Sequence, residues 1–110
     1  MPKKPDNLQG ALDLLILKTL ASQGPLHGYG IALRIESVSG DVLRVEEGSL
    51  YPALYRMEED GWIKAKWTTT ENNRRARVYE ITARGRKELD AALGRWRAVT
   101  AAVDQVLASA

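Results

Sequence analysis

At 110 residues, with 45% apolar and 27% charged residues, the chain has the size and composition of one globular domain. It has no cysteine, which excludes disulfides, and its most apolar stretch, residues 14–17, is too short to span a bilayer, so we expect a cytoplasmic protein with no membrane partner. The net charge of +2 is unevenly distributed, because residues 62–87 carry eight basic residues and two acidic ones, a local charge of +6. Such a segment either binds a polyanion or is a solvated hairpin whose lysines protect its edges.

The first predicted element is a helix over residues 8–23, and it is apolar on two sides. One side carries Leu8, Leu12, Leu15, Ile16 and Leu20, and the roughly opposite side carries Leu14, Leu17 and Ala21. A helix of this kind has to be covered on both sides. Because a domain of this size offers cover for one side, we expect Leu14 and Leu17 to meet a second subunit.

A second helix is predicted over residues 28–39, after the glycine and proline that end the first. Its inward face is expected to carry Ile31, Ile35 and Val38, which recur at helical spacing. A serine, a glycine and an aspartate then break the helix. Residues 42–45 follow as a short run of β-prone side chains, which predicts a short strand.

The third predicted helix starts at Glu47 or Gly48 and extends to about residue 60. Pro52 limits where it can begin, because a proline deep in a helix costs about 3 kcal/mol or more. In the first turn, by contrast, the missing N–H has no intrahelical partner to lose. The helix should therefore begin no earlier than about Glu47, with Ser49 at its N-terminal end.

A β-hairpin with a basic, polar tip is predicted next. Apolar and polar side chains alternate over residues 62–70, which places Ile63, Ala65 and Trp67 on one side. Residues 71–74 supply turn-forming side chains, and residues 78–82 return as the second strand. We call the hairpin of residues 62–82 the wing.

The last predicted helix covers residues 83–108, with Thr82 as its N-cap. At 1.5 Å per residue this helix is roughly 39 Å long, more than a small domain needs for cover. Its apolar side chains repeat at alternating spacings of four and three, which is typical of a seam between helices. The seam consists of Leu89, Leu93, Trp96, Thr100, Val103 and Leu107. We expect it to pack on a second subunit.

This order of elements predicts a mostly helical fold with a small β-hairpin, a winged helix-turn-helix. Residues 1–82 would form the DNA-binding part and residues 83–110 a long C-terminal dimerisation helix, together one compact unit. In such modules the third helix enters the major groove of DNA, and the wing reaches phosphates or the adjacent minor groove.

Four segments resemble the PadR family of bacterial transcriptional regulators, over about residues 8–107. They are Leu-His-Gly-Tyr-Gly-Ile at 26–31, Gly-Ser-Leu-Tyr-Pro-Ala-Leu at 48–54, Arg-Met-Glu-Glu-Asp-Gly at 56–61, and Arg-Ala-Arg-Val-Tyr-Glu-Ile-Thr-Ala-Arg-Gly at 75–85. The short length resembles the subfamily with one C-terminal helix. Two features depart from the family: Trp62 replaces a smaller aliphatic residue, and Asn72 with Asn73 replaces a glycine-rich wing tip.

The resemblance implies a homodimeric repressor that binds a pseudo-palindromic operator and responds to small, often aromatic, compounds. In this subfamily an aromatic residue at the place of Trp96 can stack on flat ligands between subunits, although a seam tryptophan also serves as a plain dimer anchor. The candidate ligand-binding residues are Leu15, Leu89, Ala92, Trp96 and Val99. The candidate dimer residues are Leu14, Leu17, Leu93, Trp96, Thr100, Val103 and Leu107.

Ten residues are candidates for contact with double-stranded DNA: Tyr29, Ser49, Tyr51, Pro52, Arg56, Lys64, Lys66, Arg74, Arg75 and Arg77. Other roles are open for several of them. Tyr51 could pack against the wing, Ser49 could simply cap its helix, and Tyr29 could be buried. Arg56 could pair with one of the two acidic residues at 59 and 60, and Arg77 could pair within the protein.

The sequence offers no chemistry for an enzyme. His27 is the single histidine, and without cysteine or a carboxylate cluster nearby a metal site is not expected. No cofactor-binding loop or catalytic constellation is present. The alternative to a DNA-binding regulator is a winged protein-interaction module without DNA readout, which would not need the +6 charge of residues 62–87.

Overall fold

The computed structural model describes the backbone of residues 7–110 and the side chains of residues 10–110, so Leu8 lies outside the described side chains. Within this range the elements are α1 (Asn7–Gln23), β1 (Leu26–His27), α2 (Gly28–Val38), α3 (Glu47–Glu59), β2 (Ile63–Thr69), β3 (Arg75–Ile81) and α4 (Ala83–Ala108). The strands form one antiparallel sheet in the order β1-β3-β2. The predicted fold class, mostly helical with a small sheet and a long last helix, is confirmed.

Helix α1 is the centre of the domain, and this corrects one prediction about the dimer. It contacts α2, α3, β3 and α4 within the same chain. Leu17 is fully buried and Leu14 is 8% exposed, so neither presents a surface to a second subunit. The prediction that they meet a partner is wrong, because a helix surrounded by its own chain is also apolar on two sides.

The short strand is present, but at a different place from the predicted one. Residues 42–45 form a loop, whereas β1 pairs through Leu26 with Tyr79 and through His27 with Val78 of β3. The inward face of α2 was predicted correctly at Ile31 and Ile35, which are buried. The prediction was wrong for Val38, which lies at the end of the helix and is 69% exposed.

Helix α3 begins at Glu47, as the position of Pro52 predicted, with Glu46 as its N-cap residue. The first helical turn is closed by the Leu50 N–H, which donates to the Glu46 carbonyl over 2.9 Å. Pro52 lies about one turn further into the helix than the positions whose N–H groups have no intrahelical partner. Because proline has no N–H, the Gly48 carbonyl accepts no hydrogen bond from residue 52. The inward face matches the prediction at its buried residues Leu50, Leu54 and Met57.

Helix α4 starts at the predicted cap. The Thr82 hydroxyl oxygen accepts from the Gly85 N–H over 3.0 Å and lies 2.7 Å from the Gly61 carbonyl oxygen, to which it can donate. The helix then extends beyond the domain body, and every residue from 101 to 110 is exposed. Over the described residues, no helix has the length and apolar character needed to cross a membrane.

Candidate nucleic-acid interface

The N-terminal half of α3 presents an exposed face with two tyrosines on it. Ser49 and Pro52 are exposed, Tyr51 is 43% exposed and Tyr55 is 65% exposed. Ser49 is the third residue of the helix and not its cap, since Glu46 occupies the cap position. Its hydroxyl is therefore available on the surface of the first turn, where helix N–H groups also lack intrahelical partners.

Tyr51 joins this face to the start of α2. Its Cε1 and hydroxyl oxygen each lie 2.9 Å from the position that a Cβ at Gly28 would occupy, so the ring packs closely on the glycine backbone. Tyr29, the residue after Gly28, is 64% exposed, so it is not buried, which was the other role that the sequence left open for it. Tyr29 thus follows the residue on which Tyr51 packs. Ser49, by contrast, lies on the other flank of α3, where it lines a groove with residues 11 and 12 of α1.

Arg56 forms an ion pair within the chain, although not with residue 59 or 60 as the sequence suggested. Its Nη1 and Nη2 atoms donate to the Asp13 carboxylate over 2.9 and 2.8 Å, which ties α3 to α1. The two hydrogen bonds raise the pKa of the Arg56 guanidinium although its partial burial acts in the opposite direction. A bidentate pair of this kind holds α3 in place against α1.

The wing closes on a tight turn that does not need glycine. The Thr70 N–H donates to the Arg74 carbonyl over 2.8 Å, and Asn73 adopts a left-handed conformation with φ of 62°. Asparagine tolerates this region better than other non-glycine residues. The tip therefore forms with asparagine, and Arg74 and Arg75 are exposed beside it. Among the described residues neither has a carboxylate within 4 Å.

The other predicted basic residues of the wing have different surroundings. Arg77 pairs with Glu58 of α3 at 2.6 Å, so its charge is compensated inside the protein by the internal pairing that the sequence left open. Lys64 lies 3.4 Å from Glu80, and Lys66 is exposed. The strand register places Lys64 and Lys66 on the face opposite Arg75 and Arg77, so these residues do not form one surface.

The predicted ligand-binding residues do not come together at either of two apolar grooves in the described part of the chain. Trp96 is 38% exposed on α4, Val99 is exposed, and Leu89 and Ala92 are half-buried. Leu15 lines two apolar grooves of about 310 and 320 Å³ beside the loop between α2 and α3, and Trp96 lines neither. The outer seam residues Thr100, Val103 and Leu107 range from half-buried to exposed.

Residues 16–91 match the transcriptional regulator PadR-like family. The chain belongs to this family. PadR-like regulators are DNA-binding proteins without enzymatic activity, and the winged fold with its third helix and hairpin supports a DNA-binding regulator here. In the part of the chain that is described, no group of three or more histidine, cysteine, aspartate or glutamate side chains could hold a metal ion.

Solved structures and curated proteins resemble the PadR-like chain over most of its length. A transcriptional regulator from Clostridium thermocellum is 28% identical, with a TM-score of 0.82, over 91% of this chain and 96% of that one. A PadR-like transcriptional regulator from Bacillus cereus is 27% identical, with a TM-score of 0.75, over 94% and 97%. An uncharacterized 37.1 kDa transposon protein of Streptomyces fradiae is 42% identical over 70% of this chain, which spans only 20% of that protein.

Two exposed aromatic residues of the PadR-like fold were missing from the predicted interface. Tyr55 lies one helical turn after Tyr51, and that spacing of four was a signal available in the sequence. Trp67 was correctly predicted to share a side with Ile63 and Ala65, but it lies beyond the domain body and is 56% exposed. Its position outside the core depends on how far the hairpin extends, which alternation alone does not reveal.

Proposed function

We propose that this PadR-like chain is a homodimeric repressor that binds a pseudo-palindromic operator in double-stranded DNA and is released by a small, planar aromatic ligand. The main support is the pairing of two exposed features, the tyrosine-bearing start of α3 and the uncompensated Arg74 and Arg75 at the wing tip. In this arrangement α3 enters the major groove, where Ser49 and Tyr51 contact phosphates or base edges. The wing follows the adjacent phosphates or minor groove.

The proposed dimer uses the outer half of α4. Its seam residues Val103 and Leu107 are exposed although they are apolar, and no side chain among residues 10–110 covers them. Apolar side chains aligned along one face of a helix gain free energy when a second helix removes them from water. A two-fold dimer would present two copies of α3, which matches the symmetry of a palindromic operator.

Salt-dependent DNA binding tests this proposal. We expect purified protein to bind random duplex DNA at low salt and to select a sequence with two half-sites about one helical turn apart from a random pool. Changing both wing-tip residues, Arg74→Ala with Arg75→Ala, should weaken binding to every sequence. The plot of the logarithm of the DNA-binding constant against the logarithm of the salt concentration should also become less steep. Its slope should decrease in magnitude by about one for each phosphate that the two arginines neutralise in the wild type. Fluorescence anisotropy over a salt series measures both quantities.

The matched control removes the same charge elsewhere, with Lys18→Ala and Arg97→Ala. Both residues are exposed and lie on α1 and α4, away from the wing. This control should change the salt slope much less than the wing-tip pair, because the effect of direct phosphate contacts exceeds that of net charge. Equal affinity and slope in the wing-tip variant and the wild type would refute the role of the wing. Failure of the wild type to bind any duplex would favour the protein-interaction alternative.

The proposed ligand site is centred on Trp96. This side chain is 38% exposed midway along α4, one helical turn after the half-buried Ala92 and two turns after the half-buried Leu89. A second copy of α4 across a two-fold axis would place two such rings close together, with room for a flat ligand between them. The ligand would bind the dimer in a form whose two α3 helices no longer match the operator spacing.

Titration with a planar aromatic dye such as acridine tests the Trp96 site. We expect the dye to quench tryptophan fluorescence in the wild type and to quench much less in Trp96→Phe. The remaining tryptophans, Trp62 and Trp67, serve as an internal control because they lie on the wing. An identical response in both proteins would refute stacking on Trp96.

A further inference from the structure

Trp67 lies against two arginines on one face of the wing. The strand register pairs Trp67 with Arg77 and Thr69 with Arg75, so Arg75 is the diagonal neighbour of the tryptophan on the same face. The Arg75 Cζ lies 4.9 Å from the centre of the Trp67 ring, and the Arg77 Cζ lies 5.9 Å from it. Both distances are within the range of cation–π attraction.

The two arginines differ in what else they contact. Arg77 forms an ion pair with Glu58 of α3 at 2.6 Å, which connects the wing to the proposed recognition helix. Arg75 has no carboxylate within 4 Å among the described residues, so its charge is not compensated. Trp67 is thus within cation–π distance of one arginine that is fixed by α3 and of another that is available to bind an anion.

Stability of the hairpin alone does not account for this arrangement. Trp67 is 56% exposed, beyond the part of the sheet that covers the core. A guanidinium stacked on a ring keeps the N–H groups at its edge available for phosphate oxygens or base edges. The stack also restricts a long, flexible side chain before it meets DNA, so less conformational entropy is lost on binding.

We propose that Trp67 is a positioning residue that holds Arg75 in the orientation in which it contacts DNA, while the Arg77–Glu58 pair sets the wing relative to α3. This inference rests on the proposed DNA-binding function. Arg75 supplies the charge and the hydrogen bonds, and Trp67 acts through it without touching DNA itself. The tryptophan therefore tunes affinity and the fit of the wing to the groove, not the number of phosphates contacted.

The test is a double-mutant cycle with Trp67→Leu and Arg75→Ala, measured on a selected duplex of about 30 base pairs. Trp67→Leu should weaken binding about three- to fivefold with no change in salt slope, because Arg75 still reaches its phosphate from a less ordered state. Arg75→Ala should lower both the affinity and the slope. In the Arg75→Ala background, Trp67→Leu should have almost no further effect.

Two further variants separate positioning from a structural role. Trp67→Tyr retains a ring face and should recover part of the affinity that Trp67→Leu removes. Arg75→Lys keeps the charge but loses the planar stack, so it should behave like Trp67→Leu. In the free protein, the side-chain protons of Arg75 should show a ring-current shift by NMR that Trp67→Leu abolishes. Thermal unfolding of every variant should stay close to wild type, since the substituted side chains are exposed.

Several outcomes would overturn the inference. Additive effects in the cycle would mean that Trp67 acts independently of Arg75, as in a direct contact with DNA. A lower salt slope in Trp67→Leu would mean that a phosphate contact is lost and not merely less ordered. A missing ring-current shift would mean that Arg75 is not held. A wild type that binds no duplex would overturn the proposed function as well, whereas a Trp67→Leu variant that binds as tightly as the wild type would overturn this inference alone.

Discussion

Gly85→Ala is expected to destabilise the protein by about 3 kcal/mol, near the upper end of what overpacking usually costs. Gly85 is buried in the first turn of α4, and a Cβ there would overlap the Trp62 carbonyl oxygen and lie 2.8 Å from Cγ1 of Ile81. The obstacle is backbone, so no rotamer change removes it. For a domain of this size the loss corresponds to a melting temperature lower by about 12–20 °C, measured by circular dichroism.

The Trp62 carbonyl is also difficult to move because it is already engaged. It accepts the Thr82 N–H over 3.0 Å, directly before the capped start of α4. The control is Gly94→Ala on the same helix, where a Cβ meets nothing within 4 Å. That variant should keep or raise stability by up to about 1 kcal/mol, since alanine is the better helix former. Equal melting temperatures for Gly85→Ala and the wild type would contradict the close packing of α4 on the Trp62 backbone.

Local chemistry made most of the helix positions predictable. Pro52 gave only a limit for α3, which begins at Glu47, and the proline itself lies inside the helix. Thr82 indicated where α4 begins, because a capping hydroxyl acts within one turn of the residue that carries it. The short strand was predicted at the wrong place for the opposite reason. Residues 42–45 have β-prone side chains but no partner strand, whereas Leu26 pairs with Tyr79, 53 positions away.

The candidate site was predictable in outline but not in its ion pairs. The basic wing and the exposed start of α3 could be read from composition and spacing. The carboxylates that compensate Arg56 and Arg77 are Asp13 and Glu58, 43 and 19 positions away. Nothing local distinguishes such an arginine from a free one, so both were counted as DNA contacts. The elements that cover α1 are also distant in sequence, so the sequence did not show that its own chain buries both sides of this helix. For that reason Leu17 was wrongly assigned to the dimer interface.

Val103→Asp is expected to convert the proposed dimer into a monomer. Val103 is about half exposed in the single chain, so an aspartate there should leave the fold of the monomer intact. In an apolar seam between two subunits, however, the unpaired carboxylate would lose its water without gaining a partner, which costs several kcal/mol. Sedimentation equilibrium should show at least a 100-fold weaker self-association. Operator affinity should fall by about 100-fold, because each subunit then binds its half-site alone.

The matched control is Ala98→Asp, which adds the same charge to the same helix. Ala98 is exposed, and at 100° per residue it lies on the side of α4 opposite the seam of Trp96, Val103 and Leu107. This variant should remain dimeric and bind the operator like the wild type. If Val103→Asp stays dimeric at concentrations where the wild type is dimeric, the subunits do not meet through this seam. If Val103→Asp becomes monomeric but keeps full affinity for the operator, dimerisation does not set the spacing of the two α3 helices. A ligand at Trp96 could then not release the protein from DNA by changing that spacing.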